Sequence, residues 1–138
     1  MESIITNARL IFIAVITAIG ELCGGYDQML HAIVLFVIID YVTGVLRAGY
    51  EKKISSYIGE WGIVRKIVIF MVIAAANELD LLIGTDHLLR LTTIAFFLSN
   101  EGISLLENIA ALGIPIPPQL LNTLAEIKNR ANNSAKKT

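Results

Sequence analysis

Between Ala8 and Leu106 the chain is a succession of four apolar stretches separated by short gaps, and few folds can house such a pattern. The stretches run from about Ala8 to Leu22, Met29 to Leu46, Ile63 to Ile83 and Leu88 to Leu106. A helix that crosses a bilayer needs roughly 20 mostly apolar residues, with about 17 at the low end. The last three stretches meet that length and the first falls just short. Glycines mark turns in the gaps, at Gly24-Gly25, Gly49, Gly59, Gly62 and Gly84. The pattern predicts an all-α membrane protein with about four transmembrane helices in residues 1–112. The alternative is three spans, with the first helix lying on the membrane surface.

Composition agrees. Charged residues make up 17% and hydrophobic residues 55%, with a mean hydropathy of +0.68, where soluble domains carry about a quarter charged residues. A net charge of −1 gives no reason to expect nucleic acid as a partner. The run from Leu10 to Ile19 lacks the positively charged lead of a secretory signal, so it reads as a retained first span.

Charge placement orients the spans, because loops facing the cytoplasm carry an excess of Lys and Arg. Arg9 precedes the first span. Arg47, Lys52, Lys53, Arg65 and Lys66 surround the gap between the second and third, and Lys128, Arg130, Lys136 and Lys137 follow the fourth. Ten of the eleven basic residues therefore fall on one side of a four-span arrangement. Only Arg90 falls on the other, beside Glu21, Asp27, Glu78, Asp80 and Asp86. The basic side is expected to be cytoplasmic and to hold both termini.

Residues 113–138 form a second region. Three prolines in four residues, Pro115, Pro117 and Pro118, end the last span in an extended link. Gln119–Arg130 then has Leu120, Leu121, Leu124 and Ile127 on one side, the pattern of a short amphipathic helix at the cytoplasmic surface. Ala131–Thr138, polar and basic, is expected to be disordered.

Two polar stripes interrupt the apolar runs. Asp40 lies well inside the second stretch, with Thr43, Gly44 and Arg47 on the same helical face. A carboxylate at mid-membrane costs about 2.5–3.5 kcal/mol on insertion scales, so it rarely faces lipid. Asp40 either holds helices together or lines a water pathway. In the fourth stretch Thr93, Asn100, Ser104 and Glu107 share a face, with Glu101 and Asn108 beside it. That face could line a wet path in an oligomer, or its C-terminal half could sit among headgroups.

The other features have structural readings. Ala74–Ala76 permit close helix packing, and Gly20 with Gly24 forms a weak small-residue pair. Tyr57 and Trp61 suit an interfacial aromatic belt. Cys23, the only cysteine, reads as a small buried hydrophobe, or else as a disulfide across a dimer. His31 and His87 have no partner at ligand spacing, so no metal, cofactor or catalytic site is expected.

Three local patterns go further: Asp40-x-x-Thr43-Gly44, then Ser56-x-x-Gly59-x-x-Gly62-x-x-Arg65-Lys66, then Asn100-Glu101-x-x-Ser104-x-x-Glu107-Asn108 followed by Gly113-x-Pro115-x-Pro117. In that order and spacing, from about Leu35 to Leu121, the chain resembles the phage holin family that includes the clostridial toxin-secretion holins. The resemblance implies a multi-pass protein of the host's cytoplasmic membrane that oligomerises into lesions. Those lesions release an endolysin, or in toxin loci a toxin. It implies as partners the lipid bilayer, further copies of the chain, an endolysin and, where one is encoded, an antiholin. It implies no enzyme activity. The assembly surface would comprise Asp40, Thr43, Gly44, Arg47, Thr93, Asn100, Glu101, Ser104, Glu107 and Asn108, with Arg65 and Lys66 as cytoplasmic anchors. A small ion-channel or transporter subunit is the main alternative, and a scaffold or antiholin-like regulator the third.

Overall fold

The computed structural model describes residues 1–53 and 56–135. They form five α-helices, with no strand among the described residues: α1 (Glu2–Leu22), α2 (Gln28–Tyr50), α3 (Ser56–Ile83), α4 (Leu88–Ala111) and α5 (Pro118–Ala135). The first four coincide with the four apolar stretches and overrun them at one or both ends. By length and composition, α1 and α2 are long and apolar enough to cross a membrane. Lys136 and Lys137, counted above in the basic tail, lie outside the described residues, as do the side chains of Ser56 and Tyr57.

The helix ends follow from local chemistry. Asp27 caps α2, its Oδ1 accepting from the Leu30 N–H at 2.9 Å. The first turn of α4 is capped from outside the helix: Asp80 accepts from the N–H groups of Leu89 at 2.9 Å and Arg90 at 2.7 Å, and from the Thr85 hydroxyl. Pro118 opens α5 at the first helical position, where its missing N–H costs nothing.

The end of α5 corrects a sequence expectation. The helix runs through Ala135 rather than stopping at Arg130, so Ala131–Ala135 is helical and not disordered. Ala131 and Ala135 are strong helix formers, and no glycine or proline intervenes to break the turn.

The packed core lies between α2, α3 and α4. Leu30, Ile33 and Val37 of α2 meet Ile69 and Ile73 of α3 and Ile94 of α4, with Cys23 at one end. Cys23 is thus the buried small residue its sequence context suggests. α5 folds back onto α4. α1 is the exception: every residue from Met1 to Ile19 is exposed, and α1 touches mainly α3. In water such an apolar helix would be unsupported, whereas lipid or another protein can cover it.

Candidate functional site

The three core helices carry a connected polar group at the end where α2 finishes and α3 begins. Asp40 of α2, Lys66 of α3 and Glu101 of α4 converge there. Asp40 and Glu101 are only 6% and 8% exposed. The Lys66 ammonium donates to Asp40 Oδ2 at 2.5 Å and also to Glu101 Oε2. Asn108, the residue after Glu107 but buried where Glu107 is exposed, donates to Asp40 Oδ1 at 3.1 Å and reaches Thr43 Oγ1 at 3.4 Å. Arg47 in turn donates to Asn108 Oδ1 at 3.4 Å and pairs with Glu51 at 2.8 Å.

The energetics of this group explain its connectedness. Withdrawing an ion from water costs several kcal/mol unless opposite charge and hydrogen bonds replace the solvent. One ammonium between two carboxylates, with Asn108 satisfying a further lone pair, meets that requirement. Among the described residues no buried side-chain nitrogen or oxygen lacks a partner.

Beside the group lies an open cleft of about 940 Å³, lined by Tyr41, Gly44, Gly62, Arg65 and Ser104 as well as by the three charged residues. Two glycines shape it. A Cβ at Gly62 would lie 3.6 Å from the Tyr41 ring, and one at Gly44 would lie 3.6 Å from Asn108 Nδ2. Each would be in ordinary contact, so the helices approach closely at these points.

The sequence-predicted residues divide into those the fold brings together and those it leaves apart. Asp40, Thr43, Arg47, Glu101 and Asn108 join one network, and Gly44 and Ser104 line its cleft. Thr93 and Asn100 are half-buried and Glu107 is exposed, so half of the α4 stripe stays outside the network. Arg65 is exposed, as suits a surface anchor, but Lys66 turns its ammonium inward to the carboxylates.

A second polar group, at the opposite end of these helices, escaped the sequence reading. Arg90 is 2% exposed. Its guanidinium donates to Asp27 Oδ2 at 2.6 Å, to the Cys23 carbonyl at 2.5 Å and to the Gly25 carbonyl at 3.1 Å. This fork ties the α1–α2 turn to the start of α4. Gly24, at φ +89°, passes so close that a Cβ would collide with Asn77 Oδ1 and lie 2.8 Å from Arg90 Nε. The guanidinium holds the Asp27 carboxyl below the usual carboxylate range. At the other end, hydrogen bonds from Arg47 and Lys53 do the same to Glu51. Arg90's isolation among acidic residues was the available sequence signal for the Asp27 pairing. Ser99 is fully buried but bonds back to the Ala95 carbonyl at 2.7 Å, so its sequence gave no hint of burial.

Comparison with known proteins bears on what such an arrangement serves. A model of the bacteriophage holin family matches residues 17–129. A protein described as a probable holin of Bacillus phage phi105 is 32% identical over 113 residues, 82% of this chain and 84% of that one. A Clostridium perfringens strain 13 protein is 38% identical over 133 residues, 96% of this chain and 98% of the relative. A Listeria monocytogenes protein is 39% identical over 105 residues, covering 76% and 75%. No solved structure matches the chain.

Proposed function

The chain belongs to the bacteriophage holin family, and from that footing we propose that it accumulates in the cytoplasmic membrane of a bacterial host and assembles there into lesions. Those lesions would let a cell-wall hydrolase, the endolysin, leave the cytoplasm. The observation that carries this reading is the Asp40–Lys66–Glu101 group, held between three apolar helices. In a bilayer, lipid is as apolar as leucine, so apolar burial alone does not favour one helix arrangement over another. Buried ionic contacts do. They hold α2, α3 and α4 as a unit while α1 and the outer half of the α4 stripe remain available to other copies.

In this reading α1 to α4 each cross the membrane and both termini are cytoplasmic, as the ten-to-one sorting of basic residues supports. Asp40, Thr43, Gly44, Arg47, Glu101 and Asn108 act within the chain. Thr93, Asn100, Ser104 and Glu107 act between chains. Arg65 anchors α3 at the cytoplasmic face.

One observation favours a second reading, a small ion-channel subunit: an open cleft of about 940 Å³ lies beside the charged group and is lined in part by Asp40, Lys66, Glu101 and Ser104. The two differ in what they pass. Expression in a bacterium that also makes a folded cytoplasmic fluorescent protein should release that protein into the medium if the chain is a holin. Loss of membrane potential with full retention of the fluorescent protein would favour the channel.

A further inference from the structure

α5 is mostly exposed but is held to the bundle by one buried side chain. Leu124, 6% exposed, is seated against Gly102 in the middle of α4. A Cβ at Gly102 would lie 2.8 and 2.9 Å from the two Leu124 methyl groups and 3.1 Å from Phe36 Cε1 of α2. A side chain at this position would have to displace Leu124, so glycine suits the wedge. Gly102 lies nine residues before the end of α4, so the seat is about 13 Å along the helix from that end. The chain therefore doubles back, and α5 lies against the flank of the bundle.

One exposed stripe of α5 is polar, beside the exposed Leu120 and Leu121. Asn122, Glu126, Asn129 and Asn133 recur at helical spacing and all are exposed. The seat thus carries a polar stripe alongside helices whose own surfaces are apolar. Lipid covers such a stripe poorly, because no group in the hydrocarbon can hydrogen-bond to it. Water or the polar helix of another copy can cover it.

The tether is the third observation. Gly113 and Ile114 bond back to α4, and the Leu120 N–H bonds to Pro117. Between them Pro115 and Ile116 make no backbone hydrogen bond among the described residues. Five residues from Gly113 to Pro117 reach at most roughly 17 Å when extended, and packed helix axes are about 8–10 Å apart. The link is thus long enough to carry α5 from its own α4 to a helix packed directly against it, such as the α4 of an abutting chain. It also has few contacts to lose in doing so.

We infer that α5 is an exchangeable helix: in the assembled state its Leu124 wedge occupies the Gly102–Phe36 seat of a neighbouring copy. The inference rests on the reading that the chain assembles in the membrane. The exchanged and self-docked forms make the same seat contacts, so what decides between them is the local concentration of neighbours. Exchange is then rare while copies are dilute and common once they crowd.

The test uses two differently tagged full-length chains, both carrying Cys23→Ala, expressed together in bacteria. One has Phe36→Cys and the other Leu124→Cys. Membranes are treated with a short bifunctional thiol cross-linker. A product carrying both tags is expected, its share rising with expression level and lost when Gly102→Leu fills the seat of the Phe36→Cys chain. A single chain bearing both cysteines checks that Leu124→Cys still docks, through an internally cross-linked monomer. If that monomer forms, an amine cross-linker captures oligomers and the two-tag product stays absent, α5 remains on its own chain and exchange is wrong. Capture of no oligomer by either reagent overturns the assembly reading and the exchange together.

Discussion

Lys66 and Asp40, 26 residues apart in sequence, meet at 2.5 Å where α3 crosses α2, and the same ammonium holds Glu101 of α4. One cation therefore joins three helices, and its removal leaves two buried carboxylates without a counter-charge. Breaking one side of a buried pair costs about 3–5 kcal/mol, whereas replacing every charged partner by apolar groups is often neutral. Lys66→Met should accordingly lower unfolding stability in detergent by about that amount. The triple change Asp40→Leu, Lys66→Met, Glu101→Leu should recover most of it. Asp40→Asn should be milder than Asp40→Leu, because it keeps hydrogen bonding to Asn108. Equal stability of Lys66→Met and the parent would mean that the ion pairs hold nothing together.

The opposite end of the bundle should respond to acid. Arg90 lowers the folded pKa of Asp27 below its unfolded value. A depressed carboxylate contributes stability that is full above the unfolded pKa, about 3.9, and is lost as pH falls through the lower folded value. The parent should therefore lose thermal stability in detergent below about pH 4 more steeply than Asp27→Asn does. Asp27→Asn should also start lower at neutral pH. Because other carboxylates titrate in the same range, the difference between the two curves is the measurement. A flat difference from pH 6 to 2 would remove Asp27 from the account.

Topology is open to a direct check at Lys52 and Lys53, just past α2. Cysteines placed there in a chain lacking Cys23 should resist a membrane-impermeant thiol reagent in intact cells and react once the membrane is opened. Labelling before any lysis would put this turn outside and reverse the proposed orientation.

How much of this was legible in the sequence follows from what each residue type announces. Asp40 stood out because a carboxylate in an apolar run is costly unless other helices or water cover it. The helices followed from long apolar stretches with glycines between them. The sequence offers Lys66 only as an anchor beside Arg65, because a basic residue at a span's end has an ordinary surface role; its contacts with Asp40 and Glu101 are added by the fold. The contact that turns it inward depends on which faces of α2 and α4 meet. Helical periodicity groups residues on one face without saying what that face touches, so Glu101 and Asn108 were seen as neighbours of a stripe rather than as its buried members. The Leu124–Gly102 seat was hidden for a different reason. A lone glycine in a helix signals close approach but not by whom, and its partner lies beyond three prolines.

On the proposed reading, Asn100 outside the charged network and Ser104 on its cleft bear on how a hole could form. Asn100 and Ser104 are half-buried, and Asn100 makes no side-chain hydrogen bond among the described residues. Facing lipid, such groups are unfavourable, so they have most to gain from water or from a neighbouring copy. An expanding ring of chains would wet this face and thereby favour a large opening over a closed cluster. Replacing both residues by leucine should leave membrane insertion intact, because it raises the apolarity of α4 and leaves the Asp40–Lys66–Glu101 contacts untouched. The same double variant should fail to release a large cytoplasmic enzyme, read as enzyme activity in the medium after induction. Release on the parent's schedule would show that the pore wall lies elsewhere, with exposed α1 the next surface to substitute.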